Sequence, residues 1–134
     1  MSDNAKKIRE QLEQGECCSR IITRIGLELL GRDNPDMIRA SGGLCMGVHS
    51  GYLCGALSGA AQILTLFDPE NAARHMIPRL MEWFDDEYGS RFTSPNCLDI
   101  TGGTPRYEIC RDIVLQTWEQ STSLLEEFGF ELVP

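Results

Sequence analysis

Six cysteines, at positions 17, 18, 45, 54, 97 and 110 of a 134-residue chain, are the side chains best suited to chemistry. As thiolates they can ligate metal or cycle through disulfides, and as thiols they can fill core volume. Their local spacing selects none of these. There is no C-x-x-C, no C-x-x-C-H for covalent haem, and no close Cys/His zinc pattern, so a c-type haem is excluded and any shared site must be assembled by the fold. The N-terminus, Met1-Ser2-Asp3-Asn4, carries no apolar h-region, which leads to the expectation of a cytoplasmic protein without a secretory signal. In a reducing compartment the cysteines are not expected to be structural staples.

The elements that must position these thiols read as helices. Ser2 to Gln14 forms a peripheral helix with Ile8 and Leu12 as its apolar pair. Cys18, Ile21, Ile22, Ile25 and Leu29 then make an i, i+3, i+4, i+7 stripe that Gly31 ends, placing Cys18 on a core face. Cys17 falls about 100° round that helix, toward the edge of the face. Asp33-Asn34-Pro35 and Asp68-Pro69 each put a capping side chain before a proline and so start helices. Ile77, Leu80, Met81, Phe84 and Tyr88 form a further stripe up to Gly89, with Pro78 expected to kink or split it. Ser90 to Thr104 is irregular and holds Cys97. Thr104-Pro105 opens a last long helix with Cys110, Ile113, Val114, Thr117, Trp118, Ser121, Leu124 and Leu125 inward, and Phe128 to Pro134 follow as an extended end.

Between these flanks, Ala40 to Phe67 contains no Asp, Glu, Lys or Arg, and glycines recur every fourth residue at 43, 47, 51, 55 and 59. If the chain is helical from about Gly47, those glycines lie along one face, beside Cys54. A glycine costs about 1 kcal/mol relative to alanine inside a helix, so the stripe must be offset by a close contact. That contact lies within the domain or across a two-fold homodimer interface, and the intramolecular one is favoured because Cys54 adjoins the stripe. On one continuous helix Cys45 and Cys54 point to opposite sides, so Cys45, like Cys17, reads as a buried or incidental thiol. His49 reads as a packed or hydrogen-bonded histidine rather than a ligand. The segment is too poor in large aliphatics, and too interrupted by His49, Gln62 and hydroxyl residues, to insert in a membrane.

No stretch alternates convincingly as a strand, and the fold class is all-α: one domain over 1–134, with five or six helices bundled around the Gly-rich central helix. The net charge of −8 disfavours nucleic acid and anionic membrane as partners.

Cys54-Gly55-Ala56-Leu57-Ser58-Gly59 resembles the C-G-A-x-x-G signature of the redox-active proteins named for the pattern C_GCAxxG_C_C. Gly15-Glu16-Cys17-Cys18 is similar to the first cysteine element of that family, with Cys18 as the match. Phe84 to Gly89 followed by Cys97, and Cys110 followed by Val114, are similar to its last two, with Arg91 to Asn96 intervening before Cys97. The resemblance implies a redox or metal-binding site of Cys18, Cys54, Cys97 and Cys110, supported by Gly55, Ala56 and Gly59. Relatives occur in split-Soret cytochromes, where the domain is associated with an iron–sulfur centre. The expectation is therefore an iron–sulfur cluster of the [2Fe–2S] type, exchanging electrons with a redox partner. A metal-free thiol–disulfide protein or sensor, which needs only paired cysteines within bridging distance, is the alternative. A helical interaction module with cysteines as core filling is the third reading.

Overall fold

Two helices of this chain begin at a side chain that caps them, Asn34 and Asp68. The computed structural model describes residues 3–103 and 106–132, and of Ser90 the backbone alone. Helix α1 (Asp3–Glu13) is followed by α2 (Cys18–Leu30), which closes at Gly31 with φ 69°, a left-handed geometry that glycine adopts without a Cβ penalty. In α3 (Pro35–Ser41) the Met37 N–H donates to Asn34 Oδ1 at 3.1 Å, and the proline sits in the first turn. A short 3₁₀ turn (Gly42–Leu44) and a loop over 45–54 lead to α4 (Gly55–Phe67). Asp68 then repeats the cap, its Oδ1 accepting the Asn71 N–H at 3.2 Å.

The rod that follows, α5, runs through 69–92 as Pro69–Asn71, Ala72–Met76, Ile77–Phe84, Asp85–Gly89 and Ser90–Phe92. It is not split at Pro78, nor does it stop at Gly89. Ala72–Met76 is a π turn placed just ahead of the proline, and Ile77 keeps φ −64° and ψ −48°. The wider turn shifts the hydrogen-bond ladder by one residue and makes room for the ring. Beyond α5 lie α6 (Cys97–Thr101) and α7 (Tyr107–Glu127). The expected α7 start at Thr104-Pro105, Ser2 at the head of α1, and Val133-Pro134 of the tail lie outside the described residues.

The bundle is all-α, and α4 is its centre, packed against α2, α5 and α7. Ala56, Leu57, Ala60, Ile63 and Leu64 of α4 are buried among Ile21, Ile22 and Ile25 of α2, Met76, Leu80 and Phe84 of α5, and Val114, Trp118 and Leu125 of α7. The glycine contact is intramolecular. A Cβ on Gly59 would stand 3.1 Å from both the Cα and the carbonyl oxygen of Ser19, so α2 and α4 meet almost backbone to backbone; from the other side, Ile63 fills the space over Gly26, where a Cβ would lie 2.5 Å from its Cδ1. No helix among the described residues is long and apolar enough to cross a membrane.

The central helix is shorter than its glycine spacing suggests. Met46, Gly47, Val48, His49 and Gly51 all have positive φ, between 53° and 78°, so helix does not run on from Gly47. At Gly47 a Cβ would collide with the Tyr52 backbone. Gly47 and Gly51 thus serve the loop, and Gly55 and Gly59 alone form the helical stripe. The helix starts one residue after Cys54, and that changes what Cys54 can do.

Candidate four-thiol site

Each of the four singled-out cysteines lies at the N-terminal end of a helix. Cys18 opens α2, Cys54 immediately precedes α4, Cys97 opens α6, and Cys110 falls in the first turn of α7. The first N–H groups of a helix have no partner within it, and the end carries partial positive charge, so a thiolate is more stable there than inside a helix. The amides of Ala56 and Leu57 act on Cys54 in this way.

Backbone pairing draws Cys54 and Cys97 together. Leu53 and Asn96 form an isolated antiparallel bridge, in which the Cys54 N–H donates to Pro95 O at 3.1 Å and the Cys97 N–H to Tyr52 O at 2.6 Å. Cys18 reaches the same place because Gly55 has no side chain: its Sγ lies 2.7 Å from where a Gly55 Cβ would be. The Gly-Ala pair of the signature therefore has a physical role, the glycine making room for one sulfur and the alanine N–H stabilising another.

Cys18, Cys54, Cys97 and Cys110 line one small cavity of about 40 Å³, closed by Met46, Ile100, Ile113 and Val114, with Thr101 the other hydroxyl or titratable side chain in its wall. None of the four is in a disulfide. A hydrogen bond between Cys18 and Cys54 raises the Cys18 pKa well above that of an ordinary thiol, and burial and the neighbouring sulfurs raise it further. The same bond lowers the pKa of Cys54, with the Ala56 and Leu57 amides prevailing alongside it over burial. Burial raises Cys97, whose Sγ is 4.0 Å from Thr101 Oγ1. It raises Cys110 as well. The pair is thus biased to lose its first proton from Cys54, with the Cys18 thiol donating to the sulfur that loses it.

Among the described residues, no three or more His, Cys, Asp or Glu side chains are disposed as they stand to hold a metal ion. The donor chemistry nevertheless fits an iron–sulfur cluster, since four thiols and no carboxylate or imidazole border the cavity.

The family comparison decides the class of the protein. The sequence model described as "Putative redox-active protein (C_GCAxxG_C_C)" matches residues 16–124. The chain belongs to this family. Neither a curated protein nor a solved structure matches it. In this C_GCAxxG_C_C protein the matched span contains all four cysteines of the cavity, together with Gly55, Ala56 and Gly59.

Two expectations about the remaining cysteines are corrected. Cys17 and Cys45 are joined by a disulfide, their Cα atoms 5.9 Å apart across a sequence separation of 28. They are neither incidental thiols nor free of cross-linking. Cys45 could be placed opposite Cys54 only on a continuous helix, and the loop over 45–54 removes that premise. His49 is hydrogen-bonded, as expected, with its Nε2 2.8 Å from Gly42 O. Met46 and Thr101 are site-lining residues that sequence reasoning missed. Nothing local marks Met46, whereas the i, i+4 spacing of Cys97 and Thr101 on a short helix was readable.

Proposed function

We propose that this protein is an electron carrier in which Cys18, Cys54, Cys97 and Cys110 hold an iron–sulfur cluster of the [2Fe–2S] type. The observation that carries the reading is the cavity bordered by four free thiols and by no carboxylate or imidazole, since a dithiol mechanism needs two thiols and Cys₄ ligation needs four. The electrostatics support it. Three of the four thiols resist ionisation, so their thiolates require a cation in the interior. When bound, the cluster supplies one-electron oxidation and reduction. The Ala56 and Leu57 amides and the N-terminal ends of α2 and α7 favour negative charge at the sulfurs. Ile100, Ile113 and Val114 keep water away, and rotation of each cysteine about Cα–Cβ lets its sulfur close on the occupant.

Anaerobic purification followed by a visible absorption spectrum and iron and acid-labile sulfide assays tests the proposal. Colour with equal iron and sulfide supports it, and colourless, iron-free protein removes it. The Cys18–Cys54 hydrogen bond favours a second reading, a metal-free dithiol in which the Cys54 thiolate attacks an external disulfide and Cys18 resolves the mixed disulfide. Electrons then move in pairs, two to the substrate disulfide for each Cys18–Cys54 bond formed. Thiol counts that differ by two or four between oxidised and reduced metal-free protein, with Cys18, Cys54, Cys97 and Cys110 among the changing residues, support this reading, and unchanged thiols at those four positions exclude it.

A further inference from the structure

The Cys17–Cys45 disulfide lies outside the four-thiol cavity but beside it. The two cysteines border a more open groove of about 530 Å³ that shares Cys18, Cys110 and Met46 with that cavity and whose wall also includes Glu16, Arg20 and Arg106. The two sulfurs differ in access: Cys17 is partly exposed, whereas Cys45 is 5% exposed. An incoming thiolate therefore meets Cys17 and leaves Cys45 as the departing sulfur.

Ser19 supplies the second observation. Its side chain is fully buried, with its Oγ 3.2 Å from Cys45 Sγ and 3.5 Å from Cys17 Sγ, and its one hydroxyl proton is donated to Ser41 O at 2.8 Å. The oxygen's lone pairs are thus turned toward two sulfurs that, in the disulfide, have no proton to give. Reduction creates two S–H donors where a buried acceptor already waits. The site is built to accommodate the dithiol as well as the disulfide.

We propose that Cys17–Cys45 is a second redox centre of this protein, distinct from the four-thiol site, which takes two electrons from an external dithiol entering by the Arg20/Arg106 groove. The dithiol's thiolate attacks Cys17 Sγ, forming a mixed disulfide and breaking the Cys17–Cys45 bond. Cys45 departs with the bonding electrons and takes up a proton, and its S–H donates to Ser19 Oγ. The second thiol of the partner attacks its own sulfur in the mixed disulfide and releases Cys17. The partner is oxidised to a disulfide, and its two protons end on Cys17 and Cys45. The proposal holds whether the neighbouring cavity carries a cluster or dithiols.

The test uses the full chain, folded, with dithiothreitol as the probe. Samples are quenched with an alkylating reagent over time, and each cysteine is quantified by peptide mass spectrometry, with circular dichroism verifying the fold. The expected result is label at Cys17 and Cys45 without denaturant, preceded at short times by a dithiothreitol adduct on Cys17 with the label on Cys45. In redox buffers of graded dithiothreitol ratio, Ser19→Ala lowers the equilibrium constant for reduction about fivefold, the loss of one hydrogen bond to the reduced form. Label that arrives after unfolding alone makes the bond a structural staple and overturns the proposal, and a dithiothreitol adduct on Cys45 with the label on Cys17 overturns the order of attack. An unchanged equilibrium constant in folded Ser19→Ala overturns the role given to Ser19.

Discussion

Gly59→Ala sets two known effects against each other at the tightest contact in the bundle. Gly59 lies within α4, where alanine gains about 1 kcal/mol of helix propensity. The new Cβ, however, arrives 3.1 Å from Ser19 Cα and 3.1 Å from Ser19 O. Those atoms are backbone, so relief requires α2 to move by a few tenths of an ångström, and overpacking of this kind costs about 1–3 kcal/mol. The net expectation is a loss of about 1 kcal/mol, which for a chain of this length lowers Tm by about 3–4 °C. Gly43→Ala is the matched control, because no atom lies within 4 Å of its Cβ position and its φ is not left-handed. It should be neutral or stabilise by up to about 1 kcal/mol. Gly59→Leu should cost more than Gly59→Ala, with three more carbons directed at α2. Thermal melts of the reduced protein decide the matter: a Tm that rises for Gly59→Ala as it does for Gly43→Ala would refute the backbone contact.

Two further outcomes follow from the titrations and the aromatic core. The raised pKa values of Cys18, Cys97 and Cys110 contribute stability that is present below the ordinary thiol value of about 8.5 and lost as pH climbs through their folded values, whereas lowered Cys54 contributes above about 8.5 and loses that as pH falls. The urea midpoint of the reduced, metal-free protein should therefore drop between about pH 8 and about pH 10, more than in a variant with all four changed to serine; equal slopes would count against the buried thiols. Burial and the Glu87 charge push the Tyr88 pKa up to about 12, and its hydroxyl donates to Gln116 Oε1. Tyr88→Phe should cost about 1 kcal/mol in chemical denaturation, and a gain in stability would contradict that bond.

Two helix starts were legible because capping is local. Asn34 and Asp68 cap as their neighbours Pro35 and Pro69 imply, and the inward stripe of α7 from Ile113 to Leu125 follows from periodicity alone. The loop over 45–54 was not legible. Glycines four apart fit a helix equally well, and what holds Gly47 and Gly51 in left-handed geometry is distant: the Cys45 bond to Cys17, and the pairing of Leu53 with Asn96. The same pairing explains why sequence could nominate Cys54 and Cys97 but not bring them together. Inside a helix the amides after Cys54 would bond to carbonyls four residues back; with Cys54 one residue ahead of α4 they are free to act on its sulfur, and only the folded chain distinguishes the two.

The most direct test of the central claim is iron and sulfide stoichiometry per chain after anaerobic purification, measured on the wild type, on Cys110→Ser and on Cys17→Ser. The four-thiol account predicts equal iron and sulfide in the wild type with visible absorption, a marked loss of both in Cys110→Ser, and retention in Cys17→Ser, whose residue lies outside the cavity. Wild-type protein that is colourless and free of iron, or iron that survives in Cys110→Ser but disappears in Cys17→Ser, would contradict it.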